Sequence, residues 1–121
     1  MDREIKFRAW NGEQMISPDY ISRSGTGFWT ENSIPSYSTE LMQFTGLKDK
    51  NGVDIYKSDV AINSVGEKGI IMYGDGVFYL SYLEEPAMEY LHSFVIRDKQ
   101  YNSTNKCNIE VVGNIYKSNN K

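Results

Sequence analysis

The chain has 121 residues, of which 40% are hydrophobic, 24% charged and 13% aromatic, and its net charge is −3. A chain of this length has room for one domain with one core, and its composition excludes general disorder. Neither half is basic, so composition gives no footprint for wrapping a phosphate backbone.

The first predicted element is a hairpin. Residues 4–10 alternate between apolar and mostly charged side chains, which predicts a strand with one buried face. Asn11-Gly12 predicts a type I′ turn, because both residues tolerate positive φ. Residues 14–17 are then expected to form the returning strand.

Residues 20–40 give weaker signals. A short strand is expected at residues 20–23, a break at Gly25-Thr26-Gly27, and an apolar pair at Phe28-Trp29. Residues 33–39 are polar and contain a proline, which predicts a loop.

Sharper signals begin at Leu41. Residues 41–45 are predicted to form a strand that ends at Gly46, and residues 48–52 a turn that closes on Asn51-Gly52. Residues 53–56 are predicted to form the returning strand, and residues 60–62 another strand.

The last third continues the pattern. Residues 68–73 and 77–83 are predicted strands joined by Gly74-Asp75-Gly76, a strong hairpin signal. We further expect a short helical turn at residues 84–91 and strands at residues 94–96 and 109–116. A polar loop is expected between these strands, at residues 98–105, and a bulge at Gly113.

Eight or nine short strands separated by Gly, Asn and Pro turns predict an all-β fold. The expected architecture is a small barrel or strongly twisted antiparallel sheets, with at most one short helical turn. We expect one domain over residues 1–121, in which an N-terminal hairpin region (1–40) packs on a barrel core (41–116). Residues 117–121 are expected to be a frayed tail.

At this point three blocks of sequence resemble a known family. Arg3–Trp10 is similar to the start of the YopX-like proteins of bacteriophages and prophages of Gram-positive bacteria. Leu41–Gly52, with Ile55-Tyr56 and Asp59-Val60, resembles the most recognisable stretch of that family. Val111–Tyr116 resembles its C-terminal signature.

The resemblance implies an all-β fold and a phage or prophage origin, but no established activity, catalytic residue or cofactor. One position departs from the pattern. Relatives often have a glycine before the aspartate, whereas this chain has Ser58 before Asp59. Since serine adopts positive φ poorly, we expect a local difference in that turn.

No catalytic constellation stands out. His92 is the only histidine and has no second ligand or base near it in sequence, whereas zinc sites need three or four ligands. Cys107 is the only cysteine, and Lys106 beside it would activate it only slightly. The turn aspartates, Asp49 and Asp75, are expected to bond backbone groups. Asp54 and Asp59 flank a strand and are expected to do the same. We therefore predict no enzymatic activity, no metal and no cofactor.

A contact surface is the remaining hypothesis, because tyrosine and tryptophan are enriched at interfaces. We expect it among the aromatic residues outside the alternating core positions and at the tip of the 48–52 turn. The candidates are Trp10, Trp29, Lys48, Asp49, Lys50, Tyr79 and Tyr82.

The sequence thus predicts a non-enzymatic accessory protein that self-associates or contacts a host or phage protein. The alternative is a small barrel that binds nucleic acid, based on Lys48, Lys50 and aromatic platforms. The single cysteine favours a reducing compartment. No signal peptide or apolar run of roughly 20 residues occurs, so we expect a cytoplasmic protein without a membrane segment.

Overall fold

The computed structural model describes residues 5–84, 87–97 and 103–117, and these residues form strands and one 3-10 helix. The all-β prediction is confirmed. By its internal contacts the chain divides into two compact units, Met1–Phe44 and Thr45–Lys121, here called unit 1 and unit 2. The expectation of a single domain stays a prediction.

Unit 1 contains two groups of antiparallel strands. They are β1 (Phe7–Trp10), β2 (Met15–Ile16), β3 (Tyr20–Ile21), β4 (Gly27–Glu31), β5 (Ile34–Ser38) and the first residues of β6 (Leu41–Lys48). β1 pairs with β2 on one side and with β6 on the other. The second group is a three-stranded sheet in the order β3-β4-β5.

The first hairpin is present, but its turn differs from the predicted type I′. Trp10 pairs with Met15, so the loop has four residues rather than two. Only Gly12 has positive φ there. Asn11 instead bonds through its side chain, whose Oδ1 accepts the backbone N–H groups of Glu13 and Gln14 at 2.8 Å.

The predicted loop at residues 33–39 is wrong, because Ile34–Ser38 forms β5. Asn32 and Ser33 both have positive φ, 51° and 65°, as a two-residue type I′ turn requires. This turn sends the chain back along β4, so that Glu31 pairs with Ile34. Pro35 fits because β5 lies at the edge of the sheet, where a missing N–H breaks no ladder bond.

Unit 2 contains the remaining strands. They are the end of β6, β7 (Asp54–Tyr56), β8 (Asp59–Ile62), β9 (Lys68–Gly74), β10 (Val77–Tyr82), β11 (Met88–Tyr90), the 3-10 helix Leu91–Phe94, β12 (Val95–Arg97), β13 (Ser103–Cys107) and β14 (Glu110–Asn114). Five of them form an antiparallel sheet in the order β11-β10-β9-β8-β14. β6 pairs with β7 and, in parallel, with β13, which pairs with β12.

A closed barrel, the first of the two predicted architectures, is not formed by the residues that the structure describes. The five-stranded sheet ends at β11 on one side and β14 on the other, with three strands between them. These two edges do not pair, so the sheet stays open. The second predicted architecture, antiparallel sheets built from hairpins, is the one observed.

The hairpin of β9 and β10 is confirmed and refined. Gly74 pairs with Val77, which leaves a two-residue turn, Asp75-Gly76. Both turn residues have positive φ, 51° and 81°, as in a type I′ turn. The predicted irregularity at Gly113 is also confirmed, since the register of β14 against β8 shifts between Val111 and Gly113.

Two predictions in the last third are wrong. The helical turn expected at residues 84–91 is replaced at Met88–Tyr90 by β11, which pairs with β10. Good helix formers are overridden there by the hydrogen bonds of a sheet edge. Residues 85–86 of that predicted turn lie outside the described residues. Of the polar loop expected at 98–105, residues 98–102 lie outside them, while Ser103–Cys107 is a strand.

The sequence predicted a strand end at Gly46 and a local difference in the turn at Ser58. Gly46 does not end β6; it has a φ of 89°, and the strand continues to Lys48. Thr45 Oγ1 helps by accepting the Leu47 N–H at 3.1 Å. Ser58 adopts a φ of 75°. This is the left-handed region that glycine favours, so the backbone is strained at the serine.

The core of unit 2 is one cluster of buried side chains beneath the five-stranded sheet. Its members are Ile55, Ala61, Ile71, Phe78, Leu80, Leu91, Cys107 and Ile109. They alternate along β8, β9 and β10 with side chains that point to the other face of the sheet. This places Asp49, Asp59 and Cys107, three candidate chemical groups, inside the protein.

Candidate functional site

Asp49, predicted as a surface residue at a turn tip, is fully buried. Its Oδ1 accepts the backbone N–H groups of Asn51 and Val53, at 2.8 and 2.9 Å. Its Oδ2 accepts the N–H of Val111, 62 residues further along the chain, at 2.9 Å. The carboxylate therefore ties the 48–52 turn to β14 and is not available to a partner.

The two lysines of the same turn lie beside carboxylates. Lys48 Nζ is 2.5 Å from Asp54 Oδ1, and Lys50 Nζ is 3.8 Å from Glu110 Oε1. Each charge is thus offset by a neighbour, which weakens the case for a phosphate-binding turn. Both lysines remain partly exposed.

Cys107 is unsuited to nucleophilic chemistry. Its side chain is fully buried in the core. Burial, followed by repulsion from the charge of Asp49, raises the pKa of the Cys107 thiol to about 12. Because the thiolate is the reactive form, the thiol is inert at neutral pH. His92 lies on the 3-10 helix and is exposed.

Two of the other candidate aspartates, Asp54 and Asp59, also bond within the fold. Asp59 is 1% exposed, and its Oδ2 accepts the Tyr56 N–H at 2.8 Å. Asp54 accepts from Lys48, and Asp75 occupies the β9–β10 turn. Among the described residues, no group of three His, Cys, Asp or Glu side chains is placed to hold a metal ion.

A cavity of about 550 Å³ in unit 2 lies next to Tyr82 and is also lined by Glu67, Glu84 and Glu89. The Tyr82 hydroxyl donates to Glu89 Oε1 at 2.7 Å and accepts from Asn63 Nδ2 at 3.2 Å. Burial, reinforced by the hydrogen bond to Glu89, raises the pKa of the Tyr82 hydroxyl. The hydroxyl of Tyr82, a candidate residue of the predicted contact surface, is therefore hydrogen-bonded within the protein.

The predicted aromatic surface is only partly in place. Trp29 is 7% exposed, and its Nε1 donates to Glu31 Oε1 at 3.3 Å, so its assignment to an exposed surface is wrong. Trp10 is half-buried on β1. Tyr79 is half-buried on the outer face of the five-stranded sheet, opposite the core side chain positions of β10.

An aromatic row that the sequence did not predict crosses the three-stranded sheet of unit 1. Tyr20, Phe28 and Tyr37 lie directly opposite one another on β3, β4 and β5. The rings of Tyr20 and Phe28 stack with centroids 4.9 Å apart and planes 13° apart, and those of Phe28 and Tyr37 are 6.2 Å apart. Tyr20 is 63% exposed and Tyr37 70%. We call these three residues the aromatic row.

The free edge of β5 lies beside this row. Phe28 accepts a hydrogen bond from the N–H of Asp19 at 2.7 Å, so its backbone groups point toward β3. Its partner Tyr37 is therefore in a non-hydrogen-bonded pair, with its own N–H and C=O directed away from β4. No strand pairs with that side of β5 within the part of the chain that the structure describes. β5 carries no charged residue.

The sequence does not predict the aromatic row, because residues 33–39 are polar, contain a proline and therefore predict a loop. The usable signal was Asn32-Ser33, two residues that tolerate a type I′ turn less well than Asn-Gly but do form one here. With that turn recognised, Phe28 and Tyr37 fall opposite each other.

Comparisons with known proteins agree with this fold. The model of the YopX family, described as "YopX protein", matches residues 6–121. The crystal structure of protein EF1440 from Enterococcus faecalis is similar, with 26% identity, 95% of each chain covered and a TM-score of 0.55. No curated protein sequence matches the chain. The part of the chain that the structure describes contains no helix suited to span a lipid bilayer.

Proposed function

The chain belongs to the YopX family, and from this premise we propose that it is a non-enzymatic accessory protein of a phage or prophage that acts through protein–protein contact. We propose that one partner is a second copy of the same chain, which pairs with it through the open edge of β5. Two negative observations are compatible with a non-enzymatic role but do not carry the proposal: the inert Cys107 and the aspartates that bond backbone groups.

The observation that carries the proposal is the aromatic row. Tyrosine and phenylalanine side chains normally bury 150–250 Å² each and stabilise the core that receives them. Here Tyr20 and Tyr37 remain mostly exposed on a three-stranded sheet. An exposed aromatic cluster of this kind is typical of a surface that a partner covers.

A second copy fits the edge because β5 is complementary to itself. In an antiparallel pairing centred on Tyr37, each Tyr37 N–H donates to the carbonyl of Tyr37 in the other copy. The two aromatic rows then meet in one continuous sheet. β5 lacks the charges that commonly prevent edge pairing. Pro35 has no N–H, which keeps the pairing short.

Nucleic acid is less well supported as the partner. Bases bind by stacking on free aromatic faces in a basic groove. The rings of Tyr20 and Phe28 already stack on each other, and Lys48 and Lys50 lie beside carboxylates. Fluorescence anisotropy with a single-stranded oligonucleotide at low salt checks this. A salt-sensitive complex would favour nucleic acid over self-association.

Sedimentation velocity over a range of protein concentrations tests the proposal with Tyr37→Lys. A lysine on the edge of β5 opposes pairing by like-charge repulsion, and Tyr37 is exposed enough to be replaced without loss of the fold. Val65→Lys is the matched control, since Val65 is 77% exposed in unit 2. Circular dichroism confirms that both variants fold.

We expect the average mass of the wild type to rise with concentration, and that of Tyr37→Lys to stay below it at every concentration. Val65→Lys should follow the wild type. Equal masses for the wild type and Tyr37→Lys, or a wild type that remains monomeric throughout, would contradict the proposed contact.

A further inference from the structure

The face of the five-stranded sheet opposite the core of unit 2 carries a patch of apolar side chains. Val60 and Ile62 on β8, Ile70 and Met72 on β9, and Tyr79 on β10 share this face. All five are half-buried, and none belongs to the core cluster on the opposite face. In an antiparallel sheet with one solvated face, that face is ordinarily polar. The apolar side chains of β8 and β9 on this face are therefore suited to contact with another surface.

The strand register places two matched pairs around β8. On one line of the face, Ile62 lies between Lys68 on β9 and Glu110 on β14. On the next line, Val60 lies between Ile70 on β9 and Gly113 on β14. Each line therefore has complementary ends. The first ends in opposite charges, and the second ends in a large side chain and in a residue that has none.

From this register we propose that a second copy of the chain packs on this face, related by a two-fold axis that runs along β8. Such an axis brings Lys68 of each copy over Glu110 of the other, and Ile70 of each over Gly113 of the other. Ile62 and Val60 meet their own equivalents at the centre. An isologous contact of this kind needs a self-complementary patch, and the two lines supply one.

The contact is a weak one. With the axis along β8, only β9, β8 and β14 of one copy lie over the same three strands of the other. Three strands about 4.8 Å apart and roughly five residues long give a contact of about 240 Å² on each copy. A standard stable interface buries about 800 Å² on each partner. Lys50 also lies 3.8 Å from Glu110, so the charge of Glu110 is shared between Lys50 and Lys68 of the other copy. The dimer should therefore form only at high protein concentration.

This contact goes beyond the proposed function, because it uses a different unit and a different surface from the β5 edge. A chain with two separate isologous surfaces builds either a closed tetramer or an open-ended chain of copies, rather than a single dimer. The wild type should accordingly reach masses above that of a dimer. Loss of either contact alone should limit the assembly to dimers.

Sedimentation equilibrium in the Tyr37→Lys background isolates the second contact. Tyr37→Lys alone should still dimerise at high concentration. Adding Lys68→Glu places two carboxylates together and should weaken that dimer at least about tenfold, since like charges across an interface are strongly unfavourable. Adding both Lys68→Glu and Glu110→Lys restores opposite charges and should recover the dimer. Lys117→Glu, an equal charge change at an exposed position of unit 2, should leave it unchanged.

The outcomes separate the two proposals. A Tyr37→Lys protein that is monomeric at every concentration would overturn the sheet-face contact and leave the β5 contact standing. A double charge reversal that fails to recover the dimer lost in Lys68→Glu would also overturn it. If the mass falls with Lys68→Glu but not with Tyr37→Lys, the sheet-face contact stands and the β5 contact fails.

Discussion

The two units use their aromatic and apolar side chains differently. In unit 2, Phe78 and Leu80 are buried in a continuous core beneath a five-stranded sheet. In unit 1, Tyr20 and Tyr37 lie on the outside of a three-stranded sheet, each more than 60% exposed. Side chains in the first group stabilise their own fold. Those in the second contribute little to it, which is why we assign them to contact with another molecule.

The same contrast applies to polar groups. In unit 2 the fully buried Asp49 connects a turn to β14 through three backbone hydrogen bonds. In unit 1 the comparable turn residue is Asn11, whose Oδ1 accepts exposed N–H groups of its own turn and whose Nδ2 donates to the Glu31 carboxylate at 3.4 Å. A buried acceptor of this kind stabilises the fold far more than an exposed one, because water cannot take the place of the hydrogen bonds that the buried carboxylate accepts.

The largest expected effect therefore concerns Asp49. Asp49→Ala removes the buried acceptor of three N–H groups, those of Asn51, Val53 and the half-buried Val111, and should lower the free energy of unfolding by about 3 kcal/mol. Asp49→Asn should also be costly, because its amide NH₂ group would face either the Val111 N–H or those of the turn. Urea denaturation measures both changes. Asp19→Ala, an exposed aspartate in unit 1, is the control and should change stability by less than about 0.5 kcal/mol. A tolerated Asp49→Ala would show that the turn does not depend on this carboxylate.

Cys107 gives an intermediate effect that depends on pH. Its pKa is about 12 in the fold and 9.0 in the absence of burial. Between these values the folded protein keeps the thiol proton while the unfolded chain loses it. Stability should therefore be unaffected below pH 9 and fall by up to about 1.4 kcal/mol per pH unit above it. Lysines and tyrosines also titrate in this range, so the comparison is with Cys107→Ala, measured by urea denaturation between pH 8 and 10.5. The variant should lose stability less steeply, and parallel curves would contradict the buried thiol.

The smallest effect is expected in unit 1, where Tyr20 stacks on Phe28 at the surface. Tyr20→Ala removes one aromatic pair and should cost about 1 kcal/mol or less. Leu80→Ala, in the core of unit 2, should cost about 2–5 kcal/mol. Both are measured by urea denaturation at a protein concentration low enough to keep the wild type monomeric. If Tyr20→Ala were as damaging as Leu80→Ala, the aromatic row would be a structural core, and the contrast between the units would fail.

Much of the fold was predictable because it depends on local backbone preferences. Gly74-Asp75-Gly76 identified the β9–β10 hairpin, and Gly113 identified the irregularity in β14. The alternation of apolar and charged side chains identified β1. The turn that joins β1 to β2, however, is stabilised by the side chain of Asn11 instead of by two left-handed residues. The strands that were missed, β5, β11 and β13, are polar or helix-prone by composition. They are strands only because a neighbouring edge supplies their hydrogen bonds.

The candidate surfaces were less predictable for the same reason. Tyr79 was correctly placed outside the core, but Trp29 and Asp49 are buried and Tyr82 is bonded within the protein. The segment Leu41–Gly52 marked the family; its strand and turn are present, but the strand continues past Gly46 to Lys48. The burial of Asp49 at its tip depends on Val111, which no local pattern connects to it.

The sequence by itself determined the all-β class, most of the hairpins and the family, because turn geometry and alternation act over a few residues. Only the tertiary structure decided that the sheets stay open and that Asp49 and Cys107 lie inside. It also decided that Tyr20, Phe28 and Tyr37 form one row, and that Lys68 and Glu110 flank Ile62. These arrangements depend on strand register, which pairs residues distant in the chain and is set by the packing of each whole sheet.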